Sequence, residues 1–110
     1  MYLPKKDIRD LLLTLTPNVM QTSQYVFTQF PTLTFEVLNN STSLDLGNEI
    51  LYQDITVKID IWAEDSITAS DMLAKVEKAM RTDLRFRLEF SGDVPNPDKS
   101  IFHITTRFRR

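Results

Sequence analysis

Residues 55–65, ITVKIDIWAED, limit what this chain can become more than any other stretch. Ile55, Val57, Ile59 and Ile61 fall on one side of an alternation, and Thr56, Lys58 and Asp60 on the other. Period two with one apolar face means a half-buried strand. Trp62, the only tryptophan, lands on the polar side. Beyond Asp65 and Ser66 the period changes. Ala69, Met72, Leu73, Val76 and Met80 form a single helical stripe. A long amphipathic strand feeding directly into an amphipathic helix buries both apolar faces by laying the helix on the sheet, a two-layer arrangement.

The rest of the chain extends that plan. Ile8, Leu11, Leu12 and Leu15 predict a helix over 7–15, stopped by Thr16-Pro17 because the residue before proline avoids helical dihedrals. Residues 25–27 are expected as a short edge strand. Leu33, Phe35 and Val37 predict a strand over 32–38. Asn39 to Ser43 reads as a loop, and the stretch to Gly47-Asn48 as a long hairpin arm or a mobile loop. The strand over 50–62 is expected to pair with 32–38 as an antiparallel hairpin, since the connection is too short for a crossover helix. Ser66 is the expected N-cap of a helix over 67–82. Leu84, Phe86, Leu88 and Phe90 predict a strand with one greasy face, ended by a turn at Ser91-Gly92-Asp93. A proline loop over 94–98 and a last strand over 101–108 follow. The expected order is α-β-β-α-β-β, an α+β fold with two helices packed on one face of a mostly antiparallel sheet. At 110 residues it is expected to be a single domain, 1–110.

Composition excludes several classes. No apolar run approaches the length of a membrane-spanning helix, and no apolar segment follows the N-terminal lysines as a signal peptide requires. There is no cysteine, hence no disulfide or thiolate metal site. The net charge of −2 argues against a general nucleic-acid binder. Its distribution is uneven. Residues 36–65 hold seven acidic side chains and one base, Lys58, whereas 81–110 hold seven bases and four acids. Such segments serve either as solvated faces of one subunit or as complementary surfaces of neighbours in a head-to-tail ring.

Catalytic chemistry is not supported. His103 is the only histidine and has no recognisable catalytic partners in the sequence. Asp60, Glu64 and Asp65 lack calcium-loop spacing, and two glycines cannot build a phosphate cradle. Arg107, Arg109 and Arg110 flank Phe108, which fits the core side of its strand. No enzyme, cofactor or metal is therefore expected. What remains is surface. Tyr52, Lys58, Asp60 and Trp62 share the face away from the helices; either an aromatic pair ringed by charges forms an interface there, or Trp62 folds down over the start of the second helix and caps the core. Together with Arg85, Arg87, Arg107 and Arg109 of the basic segment, they are the candidate contacts to other subunits or partners.

From Phe30 onward the chain resembles a known family. It carries "FPTLTFEVLNN", a polar arm, "YQDITVKIDIWAED", the helix "SITASDMLAKVEKAM", "LRFRLEF", the loop "VPNPD" and the closing "IFHITTRFR". In order and spacing this is similar to the small tail-completion and tail-terminator (head-tail joining) proteins of long-tailed bacteriophages and prophages. Phe30-Pro31, Ile59-Asp60-Ile61-Trp62 and His103 through Phe108 occupy that family's positions. The resemblance implies a structural protein without cofactor, assembled in the bacterial cytoplasm into the virion. There it would form a ring, typically of six subunits, at the head-proximal end of the tail tube. Its partners would be other copies of itself, the tail-tube protein and the head-connector or neck protein, with DNA only in passage through the lumen and no membrane. Two alternatives come from other classes. One is a small α+β module binding single-stranded nucleic acid through sheet aromatics and arginines, marked by Trp62, Arg85 and Arg107 sharing a basic face. The other is an enzyme subunit or regulatory domain of α+β type, marked by an organised pocket around His103 and a carboxylate.

Overall fold

The alternation of the central stretch forms a strand, β3, spanning Ile50–Ala63. Everything else is placed around it in this computed structural model, which describes residues 2–21, 30–44, 47, 50–98 and 100–110. Helix α1 is Lys5–Leu13, β1 is Val19–Gln21, β2 is Thr32–Leu44, α2 is Ser66–Asp83, β4 is Arg87–Val94 and β5 is Phe102–Arg109. The sheet order is β1-β2-β3-β5-β4. Every pair is antiparallel except β1 with β2. The α+β architecture is thus as the periodicities require. The three-residue β1 has too little pattern to be read from sequence, and the edge strand expected over 25–27 lies outside the described residues.

The core sits between the helices and the apolar face of the sheet. Ile55, Val57, Ile59, Ile61 and Ala63 of β3 are buried there, beside Leu33 and Phe35 of β2 and Ile104 and Phe108 of β5. Helix α2 covers them with Ala69, Met72, Val76 and Met80, and α1 with Ile8 and Leu12. Burial of each large aliphatic side chain contributes roughly 1.5–3 kcal/mol.

Three local readings are corrected by the structure. First, α2 is capped by Asp65 rather than Ser66. Asp65 is extended (φ −144°, ψ 161°), and one carboxylate oxygen accepts from the Thr68 backbone N–H at 2.7 Å while the other accepts from its hydroxyl at 2.9 Å. Those hydrogen bonds from Thr68 hold the Asp65 carboxyl below its ordinary range. Ser66 becomes the first helical residue. Asp65→Ala is accordingly expected to lower the melting temperature, and Ser66→Ala to leave it nearly unchanged; equal effects in a thermal melt would contradict the assignment.

Second, the strand after α2 starts at Arg87. Leu84 closes the helix, and Arg85 turns the chain with φ of 60°, in the left-handed region that glycine usually fills at a helix end. Phe86 then drops into the core at 0% exposure, its N–H donating to the Met80 carbonyl at 3.0 Å. Third, Ser91, Gly92 and Asp93 lie within β4, not in a turn. A bulge between Leu88 and Phe90 shifts the register against β5. It reverses the side-chain alternation, so Phe90 moves to the outer face and is 56% exposed. The Phe90 ring then lies across Gly92, where an added Cβ would sit 3.1 Å from its tip.

The expected loop over 39–43 is also strand. β2 and β3 continue together as a two-stranded arm, with a register shift between Val37 and Asn39 at its root. The arm makes the molecule 54 Å long but only 25 by 23 Å across. Its radius of gyration, 15.0 Å, exceeds the ~13 Å of a compact domain of this size.

Candidate functional site

The outer face of the sheet gathers the chemistry-bearing residues. On β3 the side chains of Lys58, Asp60 and Trp62 face away from the helices, and β5 sets Arg107, Thr105 and His103 directly opposite them. On the other flank β2 sets Glu36, Thr34 and Thr32 opposite the same three. The result is a short polar row across three strands, fixed by register alone.

Trp62 does not stand out from this face. Its indole N–H donates to the Thr34 hydroxyl at 3.1 Å, and its ring stacks on His103 with centroids 3.7 Å apart and planes 13° from parallel. It therefore lies along the sheet. Thr34 is fully buried and Asp60 is 2% exposed, although both are on the face turned from the core. Asp60 sits within an ion cluster there. His103 Nε2 is 2.9 Å from one carboxylate oxygen, and Lys58 Nζ is 3.4 Å from the other. Burial on its own would raise the Asp60 carboxyl. Hydrogen bonds from His103 and Thr105, with the charge of Lys58, outweigh it and hold the group below its ordinary range.

The other candidates separate into three places. Arg109 makes a bidentate pair with Asp54 at 2.9 and 3.0 Å, bracing the root of the arm. Arg107 is exposed opposite Lys58. Arg87 opens β4 opposite Arg109, while Arg85 lies off the sheet in the connection from α2. With Arg81, Glu77, Phe86 and Leu88, Arg85 and Arg87 line a cleft of about 450 Å³ beside the end of α2. Tyr52 belongs to β3 opposite Ser43 in the arm; its side chain lies outside the described residues. Trp62, Arg85 and Arg107 thus do not share one basic face. Sequence parity located the row on β3 but not the Trp62–His103 stack, because the pairing register of β3 with β5 is a tertiary fact. The role of Thr34, the indole's partner, was missed for the same reason.

As chemistry, the row is a satisfied polar cluster. Among the described residues no group of three histidine or carboxylate side chains is placed to hold a metal ion. A cleft of about 480 Å³ lies between the start of α2 and the β4–β5 connection, and His103 forms part of its wall. Its lining mixes Phe102, Ile101 and Val94 with Ser66, Ser70 and Asn96, and includes both His103 and the Asp93 carboxylate, while His103 Nε2 is 2.9 Å from Asp60.

No protein-family model matches the sequence, and no curated protein matches it. Among solved structures the chain is similar to one from the virion of a native gene transfer agent (GTA) particle. The two share 12% identity and superpose with a TM-score of 0.62, over 93% of this chain and 81% of that one. At that identity the likeness is one of fold.

Proposed function

We propose that this protein is a structural component of a phage-like particle, forming a ring at the head-proximal end of the tail tube. There it ends tail polymerisation and joins tail to head. The observation that carries the reading is the likeness, over nearly the whole chain, to the fold of a virion chain. Three features support it. The motifs at Phe30-Pro31, Ile59 through Trp62 and His103 through Phe108 follow the tail-completion pattern. Acidic residues concentrate in the centre of the chain and basic ones toward its end, as a head-to-tail ring would use them. A β-arm reaches out of the domain, and Arg87 and Arg107 stand exposed at and next to the sheet edge. On this reading the partners are further copies, a tail-tube protein and a head-connector protein, with DNA passing through the lumen. The protein would reside in the virion at the tail–head junction after assembly in the bacterial cytoplasm.

The nucleic-acid module loses ground on two counts. Trp62 and His103 each have a ring face occupied by the other, and Arg109 is engaged by Asp54. A base-stacking platform needs those faces free.

The test is the solution mass by light scattering over a wide concentration range at two salt levels, with electron microscopy of the largest species. Closed rings whose formation weakens with salt are expected. A monomer at every concentration that also fails to bind preformed tail tubes would overturn the proposal.

A further inference from the structure

The β2–β3 arm leaves the domain through a bulge. The register of β2 against β3 shifts between Val37 and Asn39, and bulges bend the strand that carries them. Close to it the ladder between β3 and β5 ends, where Arg110 and Ile55 exchange main-chain hydrogen bonds at 2.9 and 3.3 Å. Ile55 is buried on the helix side of β3. The next position outward on that side is Gln53, and Asn40 stands opposite Ile55 on β2. The apolar face of the sheet therefore gives way to two carboxamides just past the bulge, one on each strand of the arm.

Both carboxamides bind the main chain of Tyr2. Gln53 Oε1 accepts from the Tyr2 N–H at 3.0 Å, and Gln53 Nε2 donates to the Tyr2 carbonyl at 2.6 Å and to Asn40 Oδ1 at 2.5 Å. Asn40 Nδ2 reaches the same carbonyl at 3.5 Å. The Tyr2 ring packs against the core, with the Arg110 guanidinium carbon 4.7 Å from its centroid. Two residues on, Pro4 is buried, and its carbonyl accepts from the Ile8 N–H at 2.9 Å at the start of α1. Ile8 and Leu12 hold that helix in the core. Tyr2 is thus a short strap, fixed at one end by α1 and bound at the other by the arm. A rival tether sits on the outer face, where Arg109 pairs with Asp54. That pair holds β3 alone and is 48% and 25% exposed, so solvent and salt weaken it. The strap instead joins both strands of the arm through part-buried bonds without formal charge.

We infer that Tyr2 is a latch that fixes the direction of the arm relative to the domain. With Gln53 and Asn40 closed on it, the arm moves as one body with α1. With the clamp open, the arm swings about the bulge at Val37 and Asn39, a few residues absorbing the change as hinges do. The clamp consists of side-chain amides on a main chain, so opening it breaks no rung of the β2–β3 ladder. The latch is a property of the single subunit and does not depend on the ring reading.

The chain has no cysteine, so spin labels go only where thiols are introduced. Labels on Thr42→Cys in the arm and Lys75→Cys on α2, both exposed positions, report the arm's direction as a distance distribution in double electron–electron resonance. The labelled parent is compared with the same chain carrying Gln53→Ala, Tyr2→Ala or Arg109→Ala. A narrow distribution is expected for the parent and for Arg109→Ala, and a broad one for Gln53→Ala and Tyr2→Ala. Hydrogen exchange on the unlabelled chains reads the same event. In Gln53→Ala, amides of 39–44 and 53–55 should exchange about tenfold faster, with those of 57–61 and α2 unchanged. Should Tyr2→Ala fail to fold, Gln53→Ala decides, since it leaves the Tyr2 ring in place. A broad distribution in the parent, or equal widths throughout, overturns the inference. Broadening by Arg109→Ala as large as by Gln53→Ala assigns the direction to the ion pair and overturns it too. Faster exchange across the whole sheet in Gln53→Ala would make the clamp part of the fold rather than a latch.

Discussion

Phe86→Ala will lower the stability of the isolated subunit by about 3–5 kcal/mol, the range for deleting a fully buried phenylalanine. Phe90→Ala will change it by less than about 0.5 kcal/mol, as surface changes do. For a domain of this size, several kcal/mol displace the midpoint by roughly 15 °C or more. Both residues belong to the same sequence alternation, and only the bulge between them sends their rings to opposite faces. Phe86 also anchors the exit from α2 through its bond to the Met80 carbonyl, so its loss frees the connection as well as opening a cavity. The check is chemical denaturation followed by Trp62 fluorescence. If Phe90→Ala destabilises as much as Phe86→Ala, the placement of the bulge is wrong.

Asp60→Ala is the second large effect. The carboxylate is nearly inaccessible, and its removal leaves His103, Lys58 and Thr105 without their shared partner. Breaking a buried, hydrogen-bonded charge cluster by removing one partner costs about 3–5 kcal/mol; the partly exposed Lys58 puts the expected value near the lower end, about 3 kcal/mol. Asp60→Asn keeps the shape and some hydrogen bonds and should lose less. The pH dependence has a definite sign. The Asp60 carboxyl is lower in the folded chain than in the unfolded one. Its contribution is therefore complete above the unfolded value of about 4, and is lost as pH falls through the folded value. Wild-type stability should fall in that acid window more steeply than that of Asp60→Asn. Parallel curves from neutral pH down to about pH 3 would show that Asp60 contributes nothing through its charge.

These two experiments bear on different layers of the protein. Phe86 belongs to the core that any α+β subunit needs. Asp60 belongs to the sheet face turned from the core, and its side chain is already committed within the subunit. Intact rings from a chain lacking the Asp60 carboxylate would place the cluster in the fold. Folded monomers with lost assembly would place it in the interface.

How much was legible varies element by element. The alternation of Ile55 to Ile61 and the helical stripe from Ala69 to Met80 are each repeated several times over, so local pattern alone specified β3, α2 and the layer between them. The arm was misread over 39–43 because Asn and Ser there are turn formers by propensity. Pairing with β3 overrides that preference. β4 was misplaced by about three residues at its start because the pattern cannot register a left-handed Arg85. Its end and its outer face were missed because a bulge adds one residue without leaving a compositional mark.

The candidate site divides in the same way. Side-chain parity, a local property of any strand, determined from sequence that Lys58, Asp60 and Trp62 share the face opposite the core. Register between strands far apart in the chain decided the rest. It set His103 against Trp62 and Asp60, turned the indole toward Thr34, paired Arg109 with Asp54 and left Arg85 off the sheet. Period two fixes which way a side chain points; only hydrogen-bonded pairing between strands fixes what it meets.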